Sequence, residues 1–473
     1  MPSPLLARKP VSRFLEEASG ANKGAVPLKR ELGAFSLVML GIGGIIGTGI
    51  FVLTGVAAVE HAGPGVSASF AVAGLACAFA ALCYAELATM LPVSGSAYSF
   101  SYATLGELIA WIIGWDLVLE YAVAASAVAV GWSGYFQTLF GAYLPLPQSL
   151  LAAPCFFEPC AVEGGIINLP AFAIIMFVTG VLVIGVRESA ASNSVMVLIK
   201  TAVVIFVIAA GAGYVDTANW HPYAPKGWGG IMTGAAVVFF AYIGFDGVTT
   251  AAEEARNPER DMPIGILGSL AICTVLYLAV ALVITGMVPL SEIDTTAPLA
   301  TAFKSKGLFF AAGLISVGAI VGLTSVLLVL LYGQSRIFYA MSRDGLLPPV
   351  FSQVHPKYFT PHISTMLVGT VVALLAAVLP LTWLVELVSI GTLFAFILVS
   401  VGVIVLRKNE PDRPRAFRCP LVPWVPIAAI LSCAYLMASL HYTVWLRLAA
   451  WLGIGLAIYF LYGRNHSKLA ANP

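Results

Sequence analysis

Gly41-Ile42-Gly43-Gly44-Ile45-Ile46-Gly47-Thr48-Gly49-Ile50-Phe51 places five glycines inside an apolar run long enough to cross a bilayer, where an ordinary helix would carry Leu and Ala. Glycine lets the backbone leave the helix, yet each N–H or C=O freed in hydrocarbon costs several kcal/mol unless something binds it. The stretch therefore reads as a helix that breaks within the membrane and whose freed groups meet a substrate.

The rest of the chain has the composition this reading needs. Its 473 residues are 60% hydrophobic and 10% charged, and a mean hydropathy of +0.94 excludes a soluble domain of this size. The 24 basic and 23 acidic residues nearly balance, which leaves no electrostatic footprint for nucleic acid. Apolar segments long enough to span, about 20 residues each, fall near 34–58, 66–91, 106–140, 168–186, 192–214, 229–254, 264–288, 306–341, 362–380, 382–406, 423–443 and 445–463. With the amino terminus inside, 20 of the 24 Lys and Arg lie on the cytoplasmic side, and Lys226, Lys304, Lys306 and Arg447 remain outside. The positive-inside rule favours that orientation, a multi-pass protein of the cell (inner) membrane with both termini cytoplasmic. Residues 1–33 are basic and lack the apolar core of a signal peptide, so they read as a cytoplasmic tail. Connections are short, and the bundle itself is expected to carry the function.

A second glycine interruption, Phe239-Phe240-Ala241-Tyr242-Ile243-Gly244-Phe245-Asp246-Gly247, lies in span six. Spans one and six hold the same position in two five-span units, which run in opposite directions because five is odd. The expected fold is an all-α membrane protein of twelve transmembrane helices, an inverted five-plus-five repeat with broken helices one and six plus two extra C-terminal helices. Its divisions are the tail 1–33, a first repeat over 34–214, a second over 215–406, and 407–473 with the last two helices and a short tail. Interruptions at corresponding positions of inverted halves point to a transporter binding site. Close packing of the small-xxx-small kind is the alternative for either stretch taken alone.

A helix broken at the midplane presents two dipole ends. The outer half of span one starts near Thr48 and Gly49, whose N–H groups suit a carboxylate. Its inner half ends near Ile45 with free carbonyls, and span six offers the carbonyls of Phe240, Ala241 and Ile243. Carbonyls for an amine beside amides for a carboxylate describe a site for an α-amino acid that needs no charged side chain from the protein.

Four stretches carry a family likeness: Gly41 to Gly55 (GIGGIIGTGIFVLTG), Tyr84 to Tyr98 (YAELATMLPVSGSAY), Phe239 to Ile266 (FFAYIGFDGVTTAAEEARNPERDMPIGI) and Tyr332 to Pro348 (YGQSRIFYAMSRDGLLP). With the twelve-span plan, the chain resembles an amino-acid permease of the amino acid–polyamine–organocation superfamily, in the branch of the cationic amino acid transporters and their bacterial relatives. The resemblance implies that Thr48 and Gly49 bind the substrate carboxylate, that the carbonyls of Ile45, Ala241 and Ile243 bind its amine, and that Phe240 is an aromatic gate.

Lys200 lies eight residues after Ser192 in a span entering from the cytoplasm, roughly 12 Å in at about 1.5 Å per residue. A lysine at a helix centre costs on the order of 3 kcal/mol. It either snorkels back to the interface or is a buried amine that titrates. In the proton-coupled members that the chain resembles, a lysine on span five replaces a sodium ion between spans one and eight. The matching positions are Gly43 on span one and Thr324 and Ser325 on span eight, with a proton as the coupling ion and no other cofactor. Glu120 on span three either serves the substrate path or makes a structural hydrogen bond. Asp246 reads as the N-cap of the inner half of span six, with substrate contact as the alternative.

Glu86, Glu253, Glu254, Arg256, Arg336 and Arg343 gather near cytoplasmic ends, either simply solvated or as an inner gate of ion pairs. Pro258 and Pro263 are expected to stop span six. Of seven cysteines, Cys77, Cys83, Cys273 and Cys433 read as small buried hydrophobes. Cys155 and Cys160 share an outer loop where a disulfide is permitted, free thiols being the alternative. None of the six histidines has metal-ligand spacing, so no metal site is expected. A membrane-embedded enzyme would need a cluster of nucleophile and base that is not visible. A non-transporting partner or sensor subunit would have no need of a membrane lysine beside both breaks. The expected substrate is a small neutral L-amino acid such as alanine, because Gly322, Leu323 and Phe240 suggest an apolar pocket. Arginine or lysine, with Glu120 or Asp246 as counter-ion, is the alternative. Membrane lipids are the other expected contact, and protein partners are not indicated.

Overall fold

The computed structural model describes residues 7–10, 14, 31–93, 95–154, 164–185, 190–358 and 360–468. Cys155, Cys160 and Arg187 lie outside the described residues. Among the described residues there is no strand, only the isolated bridges Leu32 with Ala255 and Leu151 with Asn168. The principal helices are α1 (Ala34–Ile45), α2 (Val66–Met90), α3 (Glu107–Phe140), α4 (Leu169–Ile184), α5 (Ala190–Gly211), α6 (Gly227–Val238), α7 (Pro258–Met287), α8 (Phe309–Arg343), α9 (His362–Val378), α10 (Leu381–Asn409), α11 (Trp424–Ala438) and α12 (Tyr442–Ile458).

Among the described residues, eight helical stretches are long and apolar enough to cross a membrane, and α1, α4, α9 and α11 are shorter apolar helices. The protein is a multi-pass membrane protein. The long helices α3 and α8 pack on each other, α10 packs on α3, and α7 lies against both α1 and α2. Local chemistry sets several starts. Asn168 accepts from the Ala171 N–H at 3.1 Å to open α4, as a capping side chain does. Pro258, expected to stop the sixth span, instead opens α7, and Pro263 lies within that helix. A proline at the first helical position loses no bond, because that N–H is unpaired in any helix.

Both expected breaks are present. α1 ends with the Ile46 N–H on the Ile42 carbonyl at 2.9 Å, and Ile46 turns away at φ −73°, ψ 99°. Helix resumes as the wide turn Gly49–Leu53, followed by Thr54–Ala57 and Ala58–Ala62. In the second stretch α6 tightens into a 3₁₀ turn over Phe239–Tyr242, Ile243 is extended, and Gly244 adopts φ +118°. That conformation favours glycine. A 3₁₀ helix over Asp246–Glu254 follows.

The two breaks touch backbone to backbone. A Cβ on Gly44 would lie 3.1 Å from the Gly244 carbonyl oxygen, and one on Gly49 would lie 2.3 Å from the Ala241 Cα. The pair is also tied at both ends. Leu32 N–H donates to Glu254 O at 2.9 Å, and Arg256 N–H to Leu32 O at 2.8 Å. At the opposite end Lys226 Nζ donates to the Glu60 carbonyl.

Glu86 on α2 is fully buried rather than solvated. It accepts from Arg407 Nε and Nη2 and from the Cys419 N–H, each at 2.8 Å, with Arg415 Nε at 3.2 Å. This network fastens α2 to the connection after α10, a pairing that sequence spacing could not reveal.

Overpacking a closed backbone contact costs about 1–3 kcal/mol or more. Gly49→Ala is therefore expected to cut the yield of monodisperse protein in detergent about tenfold. Gly180→Ala, where a Cβ meets nothing within 4 Å, leaves it unchanged. Equal yields for the two variants would contradict the contact.

Candidate functional site

The site follows from asking where each backbone group freed by the breaks finds a partner. Lys200 on α5 is fully buried. Its Nζ donates to the Gly43 carbonyl and to the Ile46 carbonyl, the latter at 3.1 Å. The side chain thus does not snorkel to the interface. Tyr277 on α7 points its hydroxyl at two carbonyls, Ile45 O at 2.7 Å and Ala241 O at 2.8 Å. One hydroxyl hydrogen is shared between the two broken helices. Tyr135 on α3 donates to Phe51 O at 2.7 Å, in the first turn after the break.

The second break is held differently. Ile243 N–H returns to Phe240 O at 3.2 Å, and the Asp246 carboxylate accepts from Gly244 N–H at 3.2 Å. Asp246 therefore points back into the break. The N-cap position belongs to Phe245, which makes no side-chain cap bond. Tyr84, Phe239 and Phe245 surround Phe396 of α10, with ring centroids 5.3, 5.6 and 5.0 Å from it.

Around these groups, Thr48, Phe240, Ala241 and Leu323 are buried, and Gly49 lies against Ala241. The Thr48 hydroxyl has no hydrogen-bond partner. Of the two span-eight positions matched to Lys200, Thr324 accepts from Trp132 Nε1 at 3.0 Å and donates to Ile320 O. Ser325 donates to Gly322 O at 2.8 Å. Lys200 meets α8 through packing instead, since a Cβ on Gly322 would lie 3.2 Å from Lys200 Cβ. Glu120 is buried and lies beside the Thr392 side chain. Asp116, one turn earlier, is buried with neither carboxylate oxygen bonded. Among the described residues no group of three or more His, Cys, Asp or Glu is placed to hold a metal. Clefts of about 170 and 210 Å³ open elsewhere, beside Pro64 and His221 and beside Phe136 and Leu144.

Tyr277 and Tyr135 escaped the sequence reading because a tyrosine in an apolar helix is usually core, and neither belongs to a motif. Ile46 escaped because its carbonyl is freed only once the break is located to the residue.

A membrane bundle whose two helix interruptions meet at its centre, with an amine and a phenol on the freed carbonyls, has the build of a solute permease. The amino acid permease family description matches residues 32–456, and the chain belongs to that family. It is 54% identical to the branched-chain amino acid permease BcaP of Bacillus subtilis (strain 168), over 97% of this chain and 98% of the relative. It is 49% identical to the methylthioribose transporter of the same organism, over 99% of each. Cationic amino acid transporter 9, chloroplastic, of Arabidopsis thaliana is 39% identical over 93% of this chain and 89% of its own length. These relatives are transporters, and the chain is a permease rather than an enzyme.

Tyr277→Phe leaves two buried carbonyls without their shared donor, at about 1–3 kcal/mol. The variant is expected to unfold in detergent several degrees below the parent protein. An unchanged unfolding temperature would show that the hydroxyl does not bridge the breaks.

Proposed function

We propose that this permease imports a neutral L-amino acid together with a proton by alternating access. The observation that carries the substrate class is the convergence of the Ile45 and Ala241 carbonyls, one from each broken helix, on a single hydroxyl at 2.7 and 2.8 Å. Two carbonyls so placed suit an ammonium, which brings three N–H donors where Tyr277 brings one O–H. The carboxylate would lie on the amides at Thr48 and Gly49, at the positive end of the outer half-helix. Ile243 would add a third carbonyl, and Phe240 would close over the side chain.

Lys200 is the proposed proton carrier. Its bonds to Gly43 and Ile46 hold the inner half of the first broken helix, and loss of its proton would weaken that hold. Protonation from outside and release inside would then couple the helix position to the proton gradient. Thr324 and Ser325 would join the lysine only if α8 turned, because both hydroxyls are engaged within their own helix.

Twelve spans in an inverted five-plus-five arrangement, with both termini cytoplasmic, remain the topology this mechanism calls for. The divisions at 34–214 and 215–406 follow from it, as does residence in the cell membrane. The twelve principal helices and the pairing of the two breaks support that plan.

An apolar side-chain pocket is supported by buried Phe240 and Leu323 and by relatives named for branched-chain amino acids and methylthioribose. The substrates proposed thus run from alanine to leucine. Arginine or lysine is the second reading, favoured by buried Glu120 and Asp246 and by relatives named for cationic amino acids.

Uptake into proteoliposomes under an imposed inward proton gradient, with unlabelled competitors, tests the whole reading. Labelled leucine or alanine should accumulate, arginine should compete poorly, and Lys200→Ala should abolish the gradient's effect. Unchanged uptake and pH dependence in Lys200→Ala would overturn the coupling role, and dominant competition by arginine would overturn the neutral substrate.

A further inference from the structure

Two cysteines meet where α2 is fastened to the connection between α10 and α11. The Cys83 and Cys419 thiols lie next to each other. Their approach is fixed by a second set of contacts. Glu86 lies three residues after Cys83 on α2, one helical turn along the same face, and its Oε2 accepts from the Cys419 N–H at 2.8 Å. Arg407 and Arg415 hold that carboxylate from the other side. One anchored carboxylate therefore holds the Cys419 backbone a single helical turn from Cys83.

The chemistry of the pair is asymmetric. Both thiols are buried, Cys83 within the bundle and Cys419 in the connection between exposed Arg418 and Pro420. Contact with the Cys83 thiol lowers the Cys419 thiol from the usual cysteine range against its own burial and the Glu86 carboxylate, and the Arg407 guanidinium adds to the lowering. A cysteine beside a guanidinium and next to a second cysteine is the arrangement of a reactive thiol with its resolving partner.

We propose that Cys83 and Cys419 are a modification site, closing to a reversible disulfide under a hydroperoxide and thereby arresting the transport cycle. The Cys419 thiolate attacks one peroxide oxygen, the O–O bond breaks, and the hydroxide released takes up the thiol's proton as water, leaving a sulfenic acid. The Cys83 sulfur then attacks the sulfenic sulfur, the S–O bond breaks, and the hydroxide leaves as water with the Cys83 proton. Two thiols and one peroxide give one disulfide and two waters.

The arrest follows from what the bond would join. Tyr84, next to Cys83, packs edge-on against Phe245 of the second break at 5.7 Å and against Phe396 of α10 at 5.3 Å. A covalent tie between α2 and the connection after α10 would hold α2, and with it Tyr84, at one position against the second break. The arrest rests on the transport reading above, whereas the disulfide does not.

The test uses the full-length protein in proteoliposomes, treated with hydrogen peroxide and then with dithiothreitol. Peptide mass spectrometry should find Cys83 linked to Cys419 with the loss of two hydrogens. Uptake of labelled leucine should fall at least tenfold and return on reduction. Cys83→Ser and Cys419→Ser, made separately, should each retain uptake in peroxide. Absence of the linked peptide overturns the site. A linked peptide with undiminished uptake, or equal inhibition of both serine variants and the parent protein, overturns the arrest. A protein that takes up no amino acid before oxidation counts against the transport reading, and the linkage map then still decides whether the disulfide forms.

Discussion

Backbone polar groups released inside hydrocarbon must find partners within the protein, and this constraint organises the structure. Breaking the first helix after Ile45 frees the carbonyls of Gly43, Ile45 and Ile46, and three side-chain bonds from Lys200 and Tyr277 take them up. Neither residue belongs to the helix it serves. Helices α5 and α7 must therefore lie against α1 at one register, and α7 also reaches the Ala241 carbonyl of the second break. Loss of either side chain would leave a buried acceptor bare, which costs more than the bond's net contribution.

Glycine contributes the other half of the arrangement. The contacts of Gly44 with Gly244 and of Gly49 with Ala241 leave no room for a Cβ, so the two broken helices approach as backbones. Their carbonyls can then share a donor. The positive φ at Gly244 lets the chain turn there, and Asp246 steadies the turn by accepting from its amide. Charge is distributed about the same centre, with an amine behind the first break and the carboxylates of Glu120 and Asp246 near the second.

Much of this was legible in the chain. Glycine spacing in Gly41–Phe51 and Phe239–Gly247 located both breaks, because leaving a helix in a membrane calls for a residue without Cβ. The depth of Lys200 along its helix singled it out, and its bond to the Gly43 carbonyl falls at a position that the family resemblance pairs with it. Long-range partners were not legible. Tyr277 is separated from Ile45 by 232 positions, and nothing in a helical pattern states which face meets which neighbour. Glu86 looked like an end charge because Arg407, in the last turn of α10, and Arg415, in the connection beyond it, lie 321 or more positions away. The prolines after the sixth span misled on where α7 begins, since a proline both ends one helix and opens the next.

In the proposed site the paired breaks bind an ammonium and a carboxylate together. The most direct test compares leucine with 4-methylpentanoate, which lacks the amine, and with 3-methylbutylamine, which lacks the carboxylate, as competitors of labelled leucine binding to the purified protein. Losing either charged contact is expected to weaken competition at least tenfold, since a hydrogen bond to a charged group contributes about 1.5–3 kcal/mol. Competition by either analogue at leucine's own strength would contradict the site.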